Sequence, residues 1–303
     1  MAQGAAGVPA ILPRSLWRLL LAVGAAIWIV ASVITGVTED TILLPCVVLL
    51  GSFLVPITMV AFALSRPREN HLTIETVLLG FLGGGTLGLC FAALTEVYLL
   101  PTAYGTFFGV GLIEESAKAI VLIAVARSVP VHDPREGMIL GATVGAGFAA
   151  FESSGYALKA FLENADDHGV LNIVGTEAVR AVSAPFGHIM WTAILGGALF
   201  AAWAGGRPHL TRRLCLTFLG VVVLHAMWDA SNGWAITLTQ GILGDGWTLD
   251  WPKTKDWVGF PTGQELEVYN AISFALLVIL ASIGTLWLVR RWRAYGAAGQ
   301  PSS

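Results

Sequence analysis

Seven ionisable side chains fall in stretches that are otherwise apolar: Glu114, Glu115, Lys118, Glu152, His188, His225 and Asp229. Carboxylates can activate water or protonate a leaving group, and imidazoles can hold a developing oxyanion, so the set suits acid–base chemistry on an activated water. The spacings point to shared faces. Lys118 is four residues from Glu114 and three from Glu115, within reach of either on a helix. His225 and Asp229 are four apart, and Phe148 and Glu152 repeat that interval, which puts an aromatic ring one turn from a carboxylate. Ser116 and Ser153 adjoin the acids but point about 100° away around a helix, which disfavours a covalent route. Two histidines and a glutamate also match the ligands of hydrolytic zinc sites. No His-Glu-x-x-His helix accompanies them. A metal-free site without cofactor is expected, with zinc as the alternative.

The elements that position these groups follow from composition. The chain has 303 residues, 55% hydrophobic and 12% charged, with a mean hydropathy of +0.73. Those values exclude a water-soluble globule and long disordered regions. A net charge of -3 gives no basic field for nucleic acid. Cys46, Cys90 and Cys215 all lie in apolar runs, too far apart for a zinc knuckle or a disulfide framework. Eight stretches approach the roughly 20 residues that cross a bilayer: 18–36, 42–64, 74–100, 106–127, 137–158, 179–205, 213–233 and 269–289. Arg14 and Arg18 precede the first as in a signal peptide, but its length and the seven stretches after it favour an uncleaved helix.

With the N-terminus inside, twelve arginines flank the spans on the cytoplasmic side and only Lys159, Arg180, Lys253 and Lys255 on the other. This bias predicts both termini in the cytoplasm. The expected fold is therefore all-α, a polytopic transmembrane helix bundle of about eight spans forming one integral membrane domain over residues 1–303. Its catalytic core is expected in spans three to seven, residues 74–233. Residues 234–268, with Trp234, Trp247, Trp251 and Trp257, are expected as an extracytoplasmic loop at headgroup level. The glycines at 80, 84 and 88 and at 137, 141 and 145 predict close helix contacts within the bundle. Counted from the span ends, Glu114, Glu152, His188 and His225 all lie roughly 9–14 Å below the outer surface. Glu75, Glu96 and Glu177 lie near span ends and are expected to be solvated, as are His71, His132, His168 and His209 in loops.

The series Glu114-Glu115-Ser-Ala-Lys118, Phe148-x-x-x-Glu152, His188 and His225-x-x-x-Asp229 resembles the PrsW family of intramembrane proteases, a branch of the CAAX-endopeptidase-like glutamic membrane proteases. The similarity spans about residues 74–233. It implies a multi-pass protease of the bacterial plasma membrane. The implied substrate is a single-pass membrane protein, such as a membrane-anchored anti-sigma factor whose first cleavage starts a stress response. By the same resemblance Glu114 or Glu115 is the base, and His188 and His225 orient water or hold the oxyanion. Glu152 stands where CAAX endopeptidases have a histidine, and Asp229 where they often have asparagine. Lys118 replaces their arginine and sits one residue closer, as in PrsW. Two other classes use buried ionisable groups: a proton-coupled transporter, which predicts internal repeats that are not evident, and a non-catalytic scaffold, which would lose some of these acids or histidines.

Overall fold

The computed structural model describes residues 12–66, 71–100, 106–163, 169–244, 248–249, 257–258 and 262–298. Apolar runs bounded by capping residues become its helices. Thr73 accepts the Thr76 amide at 3.1 Å to start one helix, and Thr211 accepts the Leu214 amide at 3.2 Å to start another. The Asp133 carboxylate takes the amides of Arg135 and Glu136 at a third. In chain order the helices are α1 (Leu16–Thr38), α2 (Leu44–Leu64), α3 (Ile74–Gly83), α4 (Leu89–Leu99), α5 (Thr106–Ala126), α6 (Pro134–Glu163), α7 (Gly169–Ser183), α8 (His188–Ala201), α9 (Arg212–Leu243) and α10 (Gly263–Ala298). A hairpin between α8 and α9 pairs Trp203–Ala204 with Arg207–Pro208, and its turn glycines take φ of 57° and 78°. Such left-handed pairs match the twist of the strands and suit glycine.

Two spans are interrupted. A π turn at Gly84–Gly88 joins α3 to α4. The expected continuous span 179–205 starts earlier, at Gly169, and breaks into α7, a 3-10 turn at Ala184–Phe186, and α8. Pro185 has no N–H to continue a helix, so His188 becomes the first residue of α8. The tryptophan-rich loop is shorter than 234–268, because α9 runs on through Trp234 to Leu243 and α10 begins at Gly263. Trp247 and Trp251 lie outside the described residues, as do Arg68, Asp166, Asp167, His168, Asp245, Asp250, Lys253, Lys255 and Asp256.

Helix α6 is the axis of the bundle. Its glycines at 137, 141 and 145 face the backbone carbonyls of Gly196, Thr192 and His188 on α8. On another side Gly84 faces the Val144 carbonyl and Gly147 the Phe81 carbonyl. The glycine series is thus spent inside the bundle, as close packing in lipid requires. Helices α1, α4 and α10 instead present exposed Ile, Leu, Val and Phe outward. Among the described residues, six helical segments are long and apolar enough to cross a membrane: 16–38, 41–64, 74–99, 169–201, 212–243 and 263–297. The two expected spans outside this set are α5, which carries Glu114, Glu115 and Lys118, and α6, where glycines and Glu152 dilute the apolar content.

A β-carbon at position 141 would overlap the carbonyl of Thr192, which is backbone and cannot swing away. Gly141→Leu should therefore cost about 1–3 kcal/mol or more, read as a lower midpoint of thermal unfolding in detergent. Gly155→Ala, where nothing lies within 4 Å, should leave that midpoint within about a degree or two.

Candidate active site

Lys118 on α5 is fully buried, and an ammonium can only donate. Its Nζ donates to Glu114 Oε2 at 3.1 Å, to Glu115 Oε1 at 2.8 Å and to His188 Nδ1 at 2.8 Å. It also lies 3.9 Å from the centre of the Phe148 ring, a cation–π contact supplied by α6. Because His188 Nδ1 accepts from the ammonium, its Nε2 carries the ring hydrogen and donates to Glu152 Oε2 at 3.0 Å. The same Glu152 oxygen receives Arg180 of α7. Arg180 Nε donates to Ser153 Oγ at 2.7 Å, and its guanidinium stacks 4.4 Å over Tyr156.

His225 on α9 closes the group. Its Nδ1 faces Glu115 Oε1 at 3.0 Å, while its Nε2 faces Asp229 Oδ2 at 3.3 Å and Glu114 Oε2 at 3.6 Å. Trp191, one turn into α8, packs against both imidazoles, with ring centres 4.8 Å from His225 and 5.5 Å from His188. Taking ions out of water costs several kcal/mol each, so a site of this kind persists only where partners are fixed by packing.

The two adjacent glutamates differ in access. Glu114 borders a cavity of about 780 Å³ between α4, α5, α6 and α9, shared with Glu96, Glu152, His225 and Asp229. Glu115 has 0% exposure and does not line that cavity, and its Oε2 has no partner among the described residues. A smaller cavity of about 80 Å³ also borders Glu152, against Arg180, His188 and Trp191.

All seven ionisable groups singled out by type and spacing meet here, with Phe148 beneath them. Arg180 and Trp191, not singled out by residue type and spacing, also stand in the site. Arg180 carried the same signal as the rest, an ionisable group within an apolar stretch, but it sits near the start of span 179–205 and reads as a solvated end. Glu177 on the same helix also departs from the expectation of solvation. It is 1% exposed, accepting Trp28 Nε1 at 2.8 Å and Ser52 Oγ at 3.3 Å. Glu75 is exposed as expected. His71 instead pairs with Glu136 at 3.1 Å, and His132 stacks on Trp203 at 4.2 Å. Neither serine stands against a histidine: Ser116 Oγ donates to the Leu112 carbonyl, and Ser153 Oγ serves Arg180.

Glu114, His188 and His225 each offer a ligand atom within 4.8 Å of the others, with Glu114 Oε2 3.9 Å from His188 Nδ1 and 3.6 Å from His225 Nε2, and in kind they are the two-histidine, one-carboxylate set that holds hydrolytic zinc. The Lys118 ammonium already donates to two of those residues, at Glu114 Oε2 and His188 Nδ1. The donors fit a metal by chemistry, and an ion among them would have to displace the lysine.

Removing the ammonium strands two buried carboxylates. Lys118→Ala should lower unfolding free energy by about 3–5 kcal/mol, measured by denaturation in mild detergent. Arg180→Gln, at a partly exposed position, should cost less than half of that.

A family model described as PrsW family intramembrane metalloprotease matches residues 45–245, about two-thirds of the chain. No curated protein and no solved structure matches it. The matched segment runs from α2 to the end of α9 and contains every group of the cluster. With several helices apolar enough to span a bilayer and a buried acid–imidazole site between them, the chain belongs to the PrsW family of intramembrane proteases.

Proposed function

We propose that this protease hydrolyses its peptide bond with a water activated by Glu114, without a metal. The observation that carries this reading is the split between the paired glutamates: Glu114 faces the large cavity, whereas Glu115 is sealed behind it and holds Lys118 and His225. In the proposed step Glu114 takes a proton from water as its oxygen attacks the scissile carbonyl carbon. The Nε2 edge of His225, directed by Asp229, stabilises the oxyanion. Glu114 then returns the proton to the leaving nitrogen as the C–N bond breaks, giving a carboxylic acid, which ionises by passing its proton to the amine or to water, and an amine. Lys118 keeps the Glu114 oxygen in place, and His188 joins Lys118 to the Glu152–Arg180 pair.

The second reading is metal-assisted hydrolysis, favoured by the grouping of Glu114, His188 and His225 and by the family description. Zinc held by those residues would supply Lewis acidity and a more acidic water. In either case the substrate is read as a single-pass membrane protein, an anti-sigma factor being one such class, and the host membrane as a bacterial plasma membrane. The arginine bias supports eight spans with both termini cytoplasmic, and the depth of the cluster supports cleavage towards the extracytoplasmic side.

Newly formed N-termini in membranes from cells producing each variant at equal abundance test the mechanism. Glu114→Gln should reduce cleavage by about 10²–10⁴-fold, the range of general-base catalysis. Wild-type cleavage by that variant would sink the assignment. Elemental analysis of protein purified without chelator decides the second reading. One zinc per chain, lost on His188→Ala or His225→Ala, would replace the metal-free route.

A further inference from the structure

The cavity in front of Glu114 contains one acid that neither the resemblance nor the mechanism uses. Glu96 stands on α4, the half of its span beyond the π turn, and lines the same space as Glu114, Glu152, His225 and Asp229. Its Oε1 is buried and has no hydrogen-bond partner among the described residues. Such an atom costs free energy unless a partner arrives.

The charge balance says what kind of partner is missing. Five carboxylates gather on the cavity and directly behind it: Glu96, Glu114, Glu115, Glu152 and Asp229. Against them stand Lys118 and Arg180, both already paired. His188 adds no charge, since its Nδ1 accepts from Lys118, so among the described residues His225 is the further cation of the cluster. Among the described residues, at most three cations therefore face five carboxylates. Glu96 is the lining acid that carries a buried oxygen, Oε1, without a partner among the described residues.

We propose that Glu96 is a specificity-determining residue that pairs with a lysine or arginine side chain of the polypeptide being cut. This rests on the protease reading of the site. Position follows from helix geometry. Glu96 is three residues from the end of α4, and Glu114 is eight from the start of α5, the adjoining end. At about 1.5 Å per residue Glu96 stands roughly 7–8 Å nearer that end. An extended substrate covers this in about two residues at 3.3 Å each. The basic side chain thus lies about two residues from the scissile bond, on the side towards the Leu99 end of α4. The cavity volume, about 780 Å³, is of the size that encloses a ligand of several such groups.

The test maps new N-termini in native-host membranes containing the full-length wild type, E114Q, E96Q, E96D or E96K at matched abundance. Termini that depend on Glu114 define the cleavages. Among them Lys or Arg should be enriched about two residues from the cut. E96Q should lower cleavage of those sites by about tenfold, the scale of one charge-assisted hydrogen bond. E96D should restore most of it, and E96K should shift cleavage towards sites bearing Asp or Glu, a reversal that a merely structural role would not produce. Glu114-dependent termini that are the same in wild type, E96Q and E96K overturn the role of Glu96 and leave the protease reading intact. The absence of any Glu114-dependent terminus overturns both.

Discussion

The Lys118 ammonium has three hydrogens to donate and is sealed from bulk solvent. Glu114 and Glu115 come from its own helix, by spacing alone. The third acceptor, His188, comes from α8, and this contact sets the rest of the site. It fixes which imidazole nitrogen carries hydrogen, and so which one can serve Glu152. Glu152 in turn holds Arg180, and Glu115 holds His225. One buried charge thus orders groups on five helices, because each neighbour left unpaired at this depth would cost more than the chain can spare.

Delivering His188 to that ammonium requires close backbones. The stripe of glycines on α6 lets α8 approach until carbonyl oxygens occupy the space where side chains would be. The break around Pro185 and Gly187 then turns the chain so that His188 starts a helix beside Lys118. A continuous helix from Val179 to Gly205 would carry α7 and Arg180 away along one straight axis. The interruption lets Arg180 return to Glu152 while α8 stays on α6. The π turn at Gly84–Gly88 does similar service on the cavity side, with α3 packed on α6 and α4 leaning over the open space. Irregular backbone inside a membrane is tolerated where it is covered by protein or lines a cavity, and both interruptions meet that condition.

The site's members were legible in the chain because ionisable groups are conspicuous against an apolar background, and because intervals of three and four residues translate directly into one helical face. The same logic misplaced residues near span ends. Arg180 and Glu177 both lie on α7, which the apolar pattern shows only in part, since its 15 residues include Glu177, Arg180 and several small polar groups. Distance from a span end is a poor guide to solvation when another helix covers that end, as α1 and α2 cover Glu177 through Trp28 and Ser52.

The sequence by itself determined that this is a helical membrane protein, which groups are chemically active, and which pairs share a helix. Hydropathy and helical period are properties of consecutive residues, so no tertiary information is needed for them. Tertiary structure alone decided that Glu114 meets the cavity while Glu115 is sealed, that Lys118 reaches across to His188, and that Arg180 belongs to the site. Each of those depends on the approach of helices 28 to 110 residues apart in the chain. Helix period cannot specify that approach, because it is set by where glycines let backbones touch and where a proline breaks the rod.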